Sequence, residues 1–560
     1  MNRRTVAQGV AGAAALIAVL TLLARLAGFG RTLVFTNTVG ADSTGDTYQA
    51  ANTVPNIVFE VVAGGALAGL VVPMLAGGIA AGDREQVRRT ASALLGWTLL
   101  VLTPLAVAVA LLAEPIARLL LGAGDDAEVA LAARFLVVFA PQVVLYGIGI
   151  VLTGVLQAHR RFAGPALAPL LSSLVVAGAY LLFAGIGGAR EADDLSRPAE
   201  LVLGVGTTLG VVALSLSLLV PVRGLRLGLR PALRFPVGAA PRVRRLAAAG
   251  VLTLSGQQLV AAVAIRLAAD GPDGTQVVYA AGLTLFLVPW AALAVPLATS
   301  AYPGLAERAD AGDDRGYRRA LAPVAVLVVA GSAVAAGLLV AVSGPMARIF
   351  LAGASPTVVA ALRDTIVAFA PGLPGYALVA LLTRALYARG LWKAPTVCVV
   401  GGWLLAVVAD VALARLLPVA DRGLALGAGH SVGVLVAGLG LLVGVTRTAG
   451  RGALAGVVAA GVPALAGSAL GAAAGWAVVR ALGADPVPPG VPAALGAGLA
   501  GAGTTLVVAL AVMMGTARRP LATAWRTLRA PERPAPADGG DRTRAARPAT
   551  AGDRQEVHGD

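Results

Sequence analysis

Two arginines six positions apart, Arg25 and Arg31, interrupt the apolar run L-L-A-R-L-A-G-F-G-R-T-L near the start of the chain. A guanidinium fork is an apt bidentate donor to phosphate or carboxylate oxygens. An ionisable group within an apolar span is costly, so it marks a functional position by default. Fifteen residues from Val10 to Ala24 precede Arg25; that is about 22 Å of helix, so Arg25 reaches the nearer membrane surface only with difficulty. On an ideal helix six residues turn the chain by roughly 600°, which leaves the two side chains about 120° apart. Gly28 and Gly30 lie between them and permit a bend that turns both toward one cavity.

The next apolar stretch is entered through Asp46 and carries Asn52, Asn56 and Glu60 at a spacing of four, which places the last three along one helix stripe. Such a stripe faces either a wet cavity or a partner helix. In the second case Asp46 or Glu60 pairs with an arginine of the first span. Asp410, in W-L-L-A-V-V-A-D-V-A-L-A-R, is a further deep carboxylate; it is a site for a coupling sodium ion or proton, or else a partner of Arg415. Arg266 is expected to pair with Asp270, one turn on. Arg384 reads as a charge that sets topology, and His430 as a packed polar residue.

These residues need elements that hold them in lipid. Of 560 residues, 58% are hydrophobic and 13% charged, against about 25% charged in an ordinary soluble domain. That excess apolar surface excludes a soluble enzyme, and the single Cys398 excludes a disulfide scaffold or a multi-cysteine metal site. Apolar runs of the roughly 20 residues needed to cross a bilayer recur at about 9–36, 47–76, 90–113, 128–157, 164–188, 199–221, 243–268, 276–302, 319–343, 358–388, 395–418, 424–447, 452–482 and 491–515. The expectation is an all-α polytopic membrane protein of about fourteen transmembrane helices. Alternate loops collect arginine (Arg84, Arg88, Arg89; Arg160, Arg161; Arg223 to Arg245; Arg315, Arg318, Arg319) while the intervening ones lean acidic. This pattern places both termini in the cytoplasm of a protein in the cytoplasmic membrane.

The chain also resembles itself at an offset of 230 residues. Glu114–Gly124 answers Gly344–Ala354, Phe139-Ala140-Pro141 answers Phe369-Ala370-Pro371, Tyr146 answers Tyr376, and Arg88-Arg89 answers Arg318-Arg319. Six spans separate the copies, so both have the same membrane orientation. The predicted organisation is an N-lobe over 1–221, a basic cytoplasmic linker over 222–242, a C-lobe over 243–447, two extra helices within 448–515, and a disordered cytoplasmic tail over 516–560. Two parallel six-helix lobes with a substrate site between them are a transporter architecture. The net charge of +15 is mostly topological arginine plus the tail, where Arg518, Arg519, Arg526 and Arg529 lie against anionic headgroups; nothing favours nucleic acid. With no Walker lysine motif, no clustered metal ligands and no nucleophile–base pair, the chain does not read as an enzyme.

Three stretches resemble the MurJ/MviN family of lipid II flippases, within the MOP exporter superfamily that also includes MATE-type transporters. They are A-R-L-A-G-F-G-R-T-L-V-F from Ala24, G-D-T-Y-Q-A-A-N-T-V-P-N from Gly45 with G-G-A-L-A-G-L-V-V-P-M-L from Gly64, and G-V-L-Q-A-H-R-R-F-A-G-P-A-L-A-P-L from Gly154. The resemblance implies alternating access for peptidoglycan precursor export. A cationic cavity would grip the diphosphate of the undecaprenyl-linked headgroup, with Arg25, Arg31, Asp46, Asn56 and Glu60 as substrate-binding residues. Membrane lipids and cell-wall synthesis proteins would be the partners. No cofactor is expected; sodium, protons or membrane potential would drive the cycle. Two positions depart from the family pattern: Phe59-Glu60 stands where a basic pair is common, and Thr284 where an arginine often appears. The alternatives are export of another lipid-linked saccharide or an amphipathic compound, or a non-transporting scaffold for cell-envelope enzymes.

Overall fold

The computed structural model describes residues 3–61, 68–122, 125–188, 191–234, 239–483 and 489–529. The described residues form helices throughout: α1 (Arg3–Thr38), α2 (Ser43–Phe59), α3 (Ala68–Ala80), α4 (Arg84–Leu111), α5 (Ala113–Leu121), α6 (Asp126–Ala158), α7 (Ala163–Gly185), α8 (Arg197–Leu216) and α9 (Leu219–Arg223) make up the first lobe. The second contains α10 (Ala239–Ala268), α11 (Thr275–Pro289), α12 (Val295–Asp310), α13 (Asp314–Ala341), α14 (Ser343–Phe350), α15 (Pro356–Phe369), α16 (Gly372–Ala388), α17 (Lys393–Leu416) and α18 (Arg422–Ala449). After these come α19 (Val457–Ala481), α20 (Val491–Thr516) and α21 (Arg518–Arg529).

Among the described residues eleven helices are long and apolar enough to cross a membrane, or twelve if the α15–α16 pair, bent by 47°, is one span. The expected fourteen is therefore not reached by this criterion. The remaining two expected spans fall on α2–α3, between which residues 62–67 lie outside the described residues, and on α10, whose apolar part is Leu254–Ala268.

The duplication reappears in the helix boundaries. α4 begins at Arg84 and α13 at Asp314; α5 begins at Ala113 and α14 at Ser343; α6 begins at Asp126 and α15 at Pro356; α7 begins at Ala163 and α17 at Lys393. Even the caps repeat: Asp83 accepts from the Gln86 amide and Asp313 from the Gly316 amide, both at 2.8 Å. Such side-chain caps satisfy amides that a helix start leaves without partners. Where α6 runs through Pro141, the equivalent Pro371 opens the bend between α15 and α16. The next residue differs: Gln142 is tied to Thr208 at 3.0 Å, while Gly372 has no side chain to brace the turn.

The stretch after α9, expected as a plain linker, is strapped to α4. Ala232 donates its amide to the Ser92 carbonyl at 3.0 Å, and Trp97 Nε1 donates to the Leu233 carbonyl at 2.8 Å. Gly96 makes this approach feasible, because a Cβ there would overlap the Ala232 backbone. The tail also differs from expectation at its start. Arg518–Arg529 is an amphipathic helix whose Leu521 and Ala524 pack into the second lobe while Arg518, Arg519 and Arg526 stay exposed. Residues 530–560 of the expected disordered tail lie outside the described residues.

Candidate functional site

Helix α1 runs unbroken through Gly28 and Gly30, and a Cβ at either would meet nothing within 4 Å. The helix is neither unwound nor broken at these glycines. Arg31 is half-buried and enters a polar cavity of about 110 Å³ inside the first lobe, walled by Gln49, Asn52 and Asn56 from α2, Tyr146 from α6, Ser172 and Tyr180 from α7, and Thr207 from α8. Arg25 does not line it. That side chain is exposed, next to Leu22 and Leu26 at 59% and 57% exposure. The expected convergence of the two arginines is thus corrected: only Arg31 occupies this cavity.

A hydroxyl and amide network shapes the cavity around Arg31. Tyr48 Oη lies 2.6 Å from Thr207 Oγ1 and 2.8 Å from Tyr180 Oη. Tyr146 Oη donates to Asn56 Oδ1 at 3.0 Å, and Asn56 Nδ2 donates to the Asn52 carbonyl at 2.8 Å. These groups satisfy one another. The Arg31 guanidinium has no hydrogen bond or ion pair among the described residues, and the side chains of Gln49, Asn52 and Ser172 on the same wall have no hydrogen bond there either. A guanidinium keeps its charge and has five donors to place, so the arrangement favours an incoming anion. The i,i+4 stripe read in the sequence therefore holds for Asn52 and Asn56, which do face a cavity.

Asp46 does something else. Its Oδ2 accepts from the Gly274 amide at 2.8 Å and its Oδ1 from the Val277 amide at 2.9 Å, so it caps α11 in the opposite lobe. The alternative, an ion pair with an arginine of α1, is not formed. The cause is local: the start of α11 offers free amides and the positive end of a helix dipole. Gly274, at φ +88°, lies so close to the Ala41 carbonyl that a Cβ there would overlap it. Nearby, Asn37 Oδ1 accepts from the Ala352 amide at 2.9 Å, and Phe29 meets Phe350 edge-on with ring centroids 5.2 Å apart. The two lobes are therefore clasped at the end that carries residues 39–42 and 269–274.

Glu60 likewise makes no pair with α1. It lies on the wall of a separate cavity of about 400 Å³, with Phe59 and Tyr146 between it and the Arg31 cavity. Phe59 packs on Tyr146 with ring centroids 4.5 Å apart. Asp410 is fully buried in the second lobe against Gly429, whose lack of a Cβ makes room for the carboxylate. Both Asp410 oxygens are without hydrogen-bond partners and Arg415 is exposed, so the pairing with Arg415 is not made. Arg266 does pair with Asp270 at 2.6 Å. Thr284 turns back to the Ala280 carbonyl at 2.9 Å. His430 is buried among Phe286, Phe369, Tyr376 and Trp403.

Of the residues singled out in the sequence, Arg31, Asn52 and Asn56 share a cavity; Arg25, Asp46, Glu60 and Asp410 are held elsewhere. Tyr48, Tyr180 and Thr207 carried no signal, because an isolated hydroxyl in an apolar span is common. Tyr146 was visible only as a partner of Tyr376 in the repeat.

Comparison with known proteins adds an independent line. The family model described as lipid II flippase MurJ matches residues 35–480. A probable lipid II flippase MurJ from Rhizobium tropici is 27% identical over 421 residues, covering 72% of this chain and 75% of the relative. A lipid II flippase MurJ from Burkholderia cenocepacia is 26% identical over 440 residues, covering 75% and 81%. A solved structure of lipid II flippase MurJ in an inward closed conformation superposes with a TM-score of 0.70 at 16% identity, covering 90% of this chain and 99% of that one. An inward-facing multidrug resistance MATE transporter of the MOP superfamily gives 0.63 at 14% identity, covering 78% and 98%. At these identities the structural matches speak to the fold.

Proposed function

Since this chain belongs to the lipid II flippase MurJ family, we propose that its Arg31 cavity receives the diphosphate of an undecaprenyl-linked precursor while the prenyl tail stays in the bilayer. The observation that carries this reading is a guanidinium without a protein partner in a polar cavity, beside the Gln49 and Asn52 amides and the Ser172 hydroxyl, which are also free to meet a ligand. The 110 Å³ of free space suits one phosphoryl group of that diphosphate, with the other at the cavity mouth, and not a saccharide. The sugar–peptide part would remain between the lobes. Arg25, exposed about 9 Å along the helix from Arg31 at ~1.5 Å per residue, would meet the headgroup before Arg31 does.

In this reading both termini are cytoplasmic and the Asp46–α11 clasp closes the outer face. Export requires that clasp to open and the opposite end to close, which is alternating access between two lobes. Asp46 then acts as a latch, not as a ligand of the diphosphate, which a carboxylate would repel. Asp410 is the coupling carboxylate of this reading: an unpartnered buried acid is a place for a proton or a sodium ion, with membrane potential as the alternative driver. No catalytic step is involved.

Complementation of a strain depleted of its own flippase tests the proposal. The wild-type chain should restore growth, R31A should not, and R31K should rescue weakly, because a point charge replaces a bidentate fork. Growth restored equally by R31A at matched membrane levels would remove Arg31 from the mechanism.

A further inference from the structure

The Glu60 cavity of the first lobe differs in character from the Arg31 cavity. Its roughly 400 Å³ falls in the size range of small-molecule sites, which are typically apolar with a few placed polar groups. Val71, Ile150, Ala168, Pro169, Leu214 and Leu218 supply apolar wall. Among the described residues, Glu60 is the single acidic or basic side chain lining it. The Glu60 carboxylate has no hydrogen bond or ion pair among the described residues, and the neighbouring residues 62–67 contain no charged side chain.

Glu60 is also deep. Seventeen residues of α2 precede it, about 26 Å of helix. A carboxylate without a partner within an apolar span is expensive, and such groups are normally paired or face a cavity. Beside it stand Phe59 and Tyr146, tilted by 43° at 4.5 Å, whose faces attract a cation within about 6 Å of a ring centroid.

From this we infer a second ligand site, for a lipophilic organic monocation. One positive charge would sit between Glu60 and the Phe59–Tyr146 pair, with the apolar body against α6, α7 and α8. Tyr146 borders both cavities, so the Arg31 charge behind it repels the cation and confines it to the Glu60 side. The first lobe thus holds two adjoining sites of opposite preference, one for an anion and one for a cation. This inference does not depend on which lipid is exported.

Isothermal titration of the purified full chain in detergent, with a detergent-only blank, tests it using two ions of like shape and opposite charge: tetraphenylphosphonium and tetraphenylborate. The expected result is saturable binding of tetraphenylphosphonium, at least tenfold tighter than tetraphenylborate. E60Q should weaken the cation at least tenfold and narrow its lead over the anion. F59L, which keeps the apolar wall and removes the ring, should weaken it severalfold. Equal binding of the two ions by the wild type would reduce the cavity to a general lipophile pocket and overturn the inference. So would a wild-type affinity retained in folded E60Q, or no saturable binding at all. Because the wild-type comparison of the two ions is decisive by itself, a variant that fails to fold leaves the test intact.

Discussion

Replacing Asp46 should unlatch the two lobes. In the clasped state its carboxylate accepts two backbone N–H bonds from the opposite lobe, at 2.8 and 2.9 Å. A hydrogen bond with a charged partner contributes about 1.5–3 kcal/mol, so the pair favours the clasped state by roughly 3–6 kcal/mol, a factor of roughly 10² to 10⁴ in population. D46A removes both acceptors and leaves the Gly274 and Val277 amides dry until the lobes part. D46N keeps one acceptor and turns a donor toward an amide, so it should lose at least half of the effect. The Asn37 bonds to the Ile349 carbonyl and the Ala352 amide remain, which keeps the loss partial. Pulsed electron–electron resonance measures the result, with spin labels at Leu119→Cys and Leu416→Cys in a Cys398→Ser background. Both leucines are exposed, at 73% and 79%, and sit near the clasp on opposite lobes. The wild type should show one short distance, D46N a minor longer one, and D46A a dominant longer one. A D46A distribution that matches the wild type in a folded protein would refute the latch.

Other expectations follow from single contacts. G96V should drive the 225–234 strap off α4, since even a Cβ at that position overlaps Ala232; limited trypsin digestion should then cut at Arg230 and Arg234 faster than in the wild type. G28A and G30A add a methyl group into open space, so each should raise thermal stability by up to about 1 kcal/mol; if transport requires α1 to bend there, lipid II translocation slows as the melting temperature rises. Glu200 is 5% exposed and accepts from Arg134 at 3.0 Å and Arg197 at 2.7 Å. E200Q should therefore lower stability by about 2–3 kcal/mol in a thermal or denaturant melt, and an unchanged melt would mean that these pairs are solvent-screened.

The parts of the fold that announce themselves in the sequence do so through residues with few other uses in lipid. Arginine in alternate loops and repeated Phe-Ala-Pro and Arg-Arg pairs made the duplication readable, and the helix boundaries repeat at the same offset. The Asn52–Asn56 stripe was readable because a spacing of four fixes a helix face whatever the helix packs against. The partner of Asp46 was not, because it is the backbone of residues 228 and 231 positions away, and a backbone amide carries no sequence signature. That Arg31 enters the polar cavity while Arg25 is exposed is not legible in the spacing, because glycines between two residues permit several relative directions without fixing one. The helix at Arg518–Arg529 was hidden by composition: its average is polar and basic, while Leu521, Ala524 and Trp525 give it a face.

In the proposed mechanism an unpaired Arg31 in the first lobe draws an anionic lipid headgroup through the protein. Translocation of fluorescent lipid II by the full chain reconstituted in vesicles, scored by the labelled headgroup that becomes accessible on the far side, tests it most directly. The wild type should move the label, R31K more slowly, and R31A at the rate of empty vesicles. Wild-type vesicles no faster than empty ones, or R31A as fast as the wild type, would contradict it.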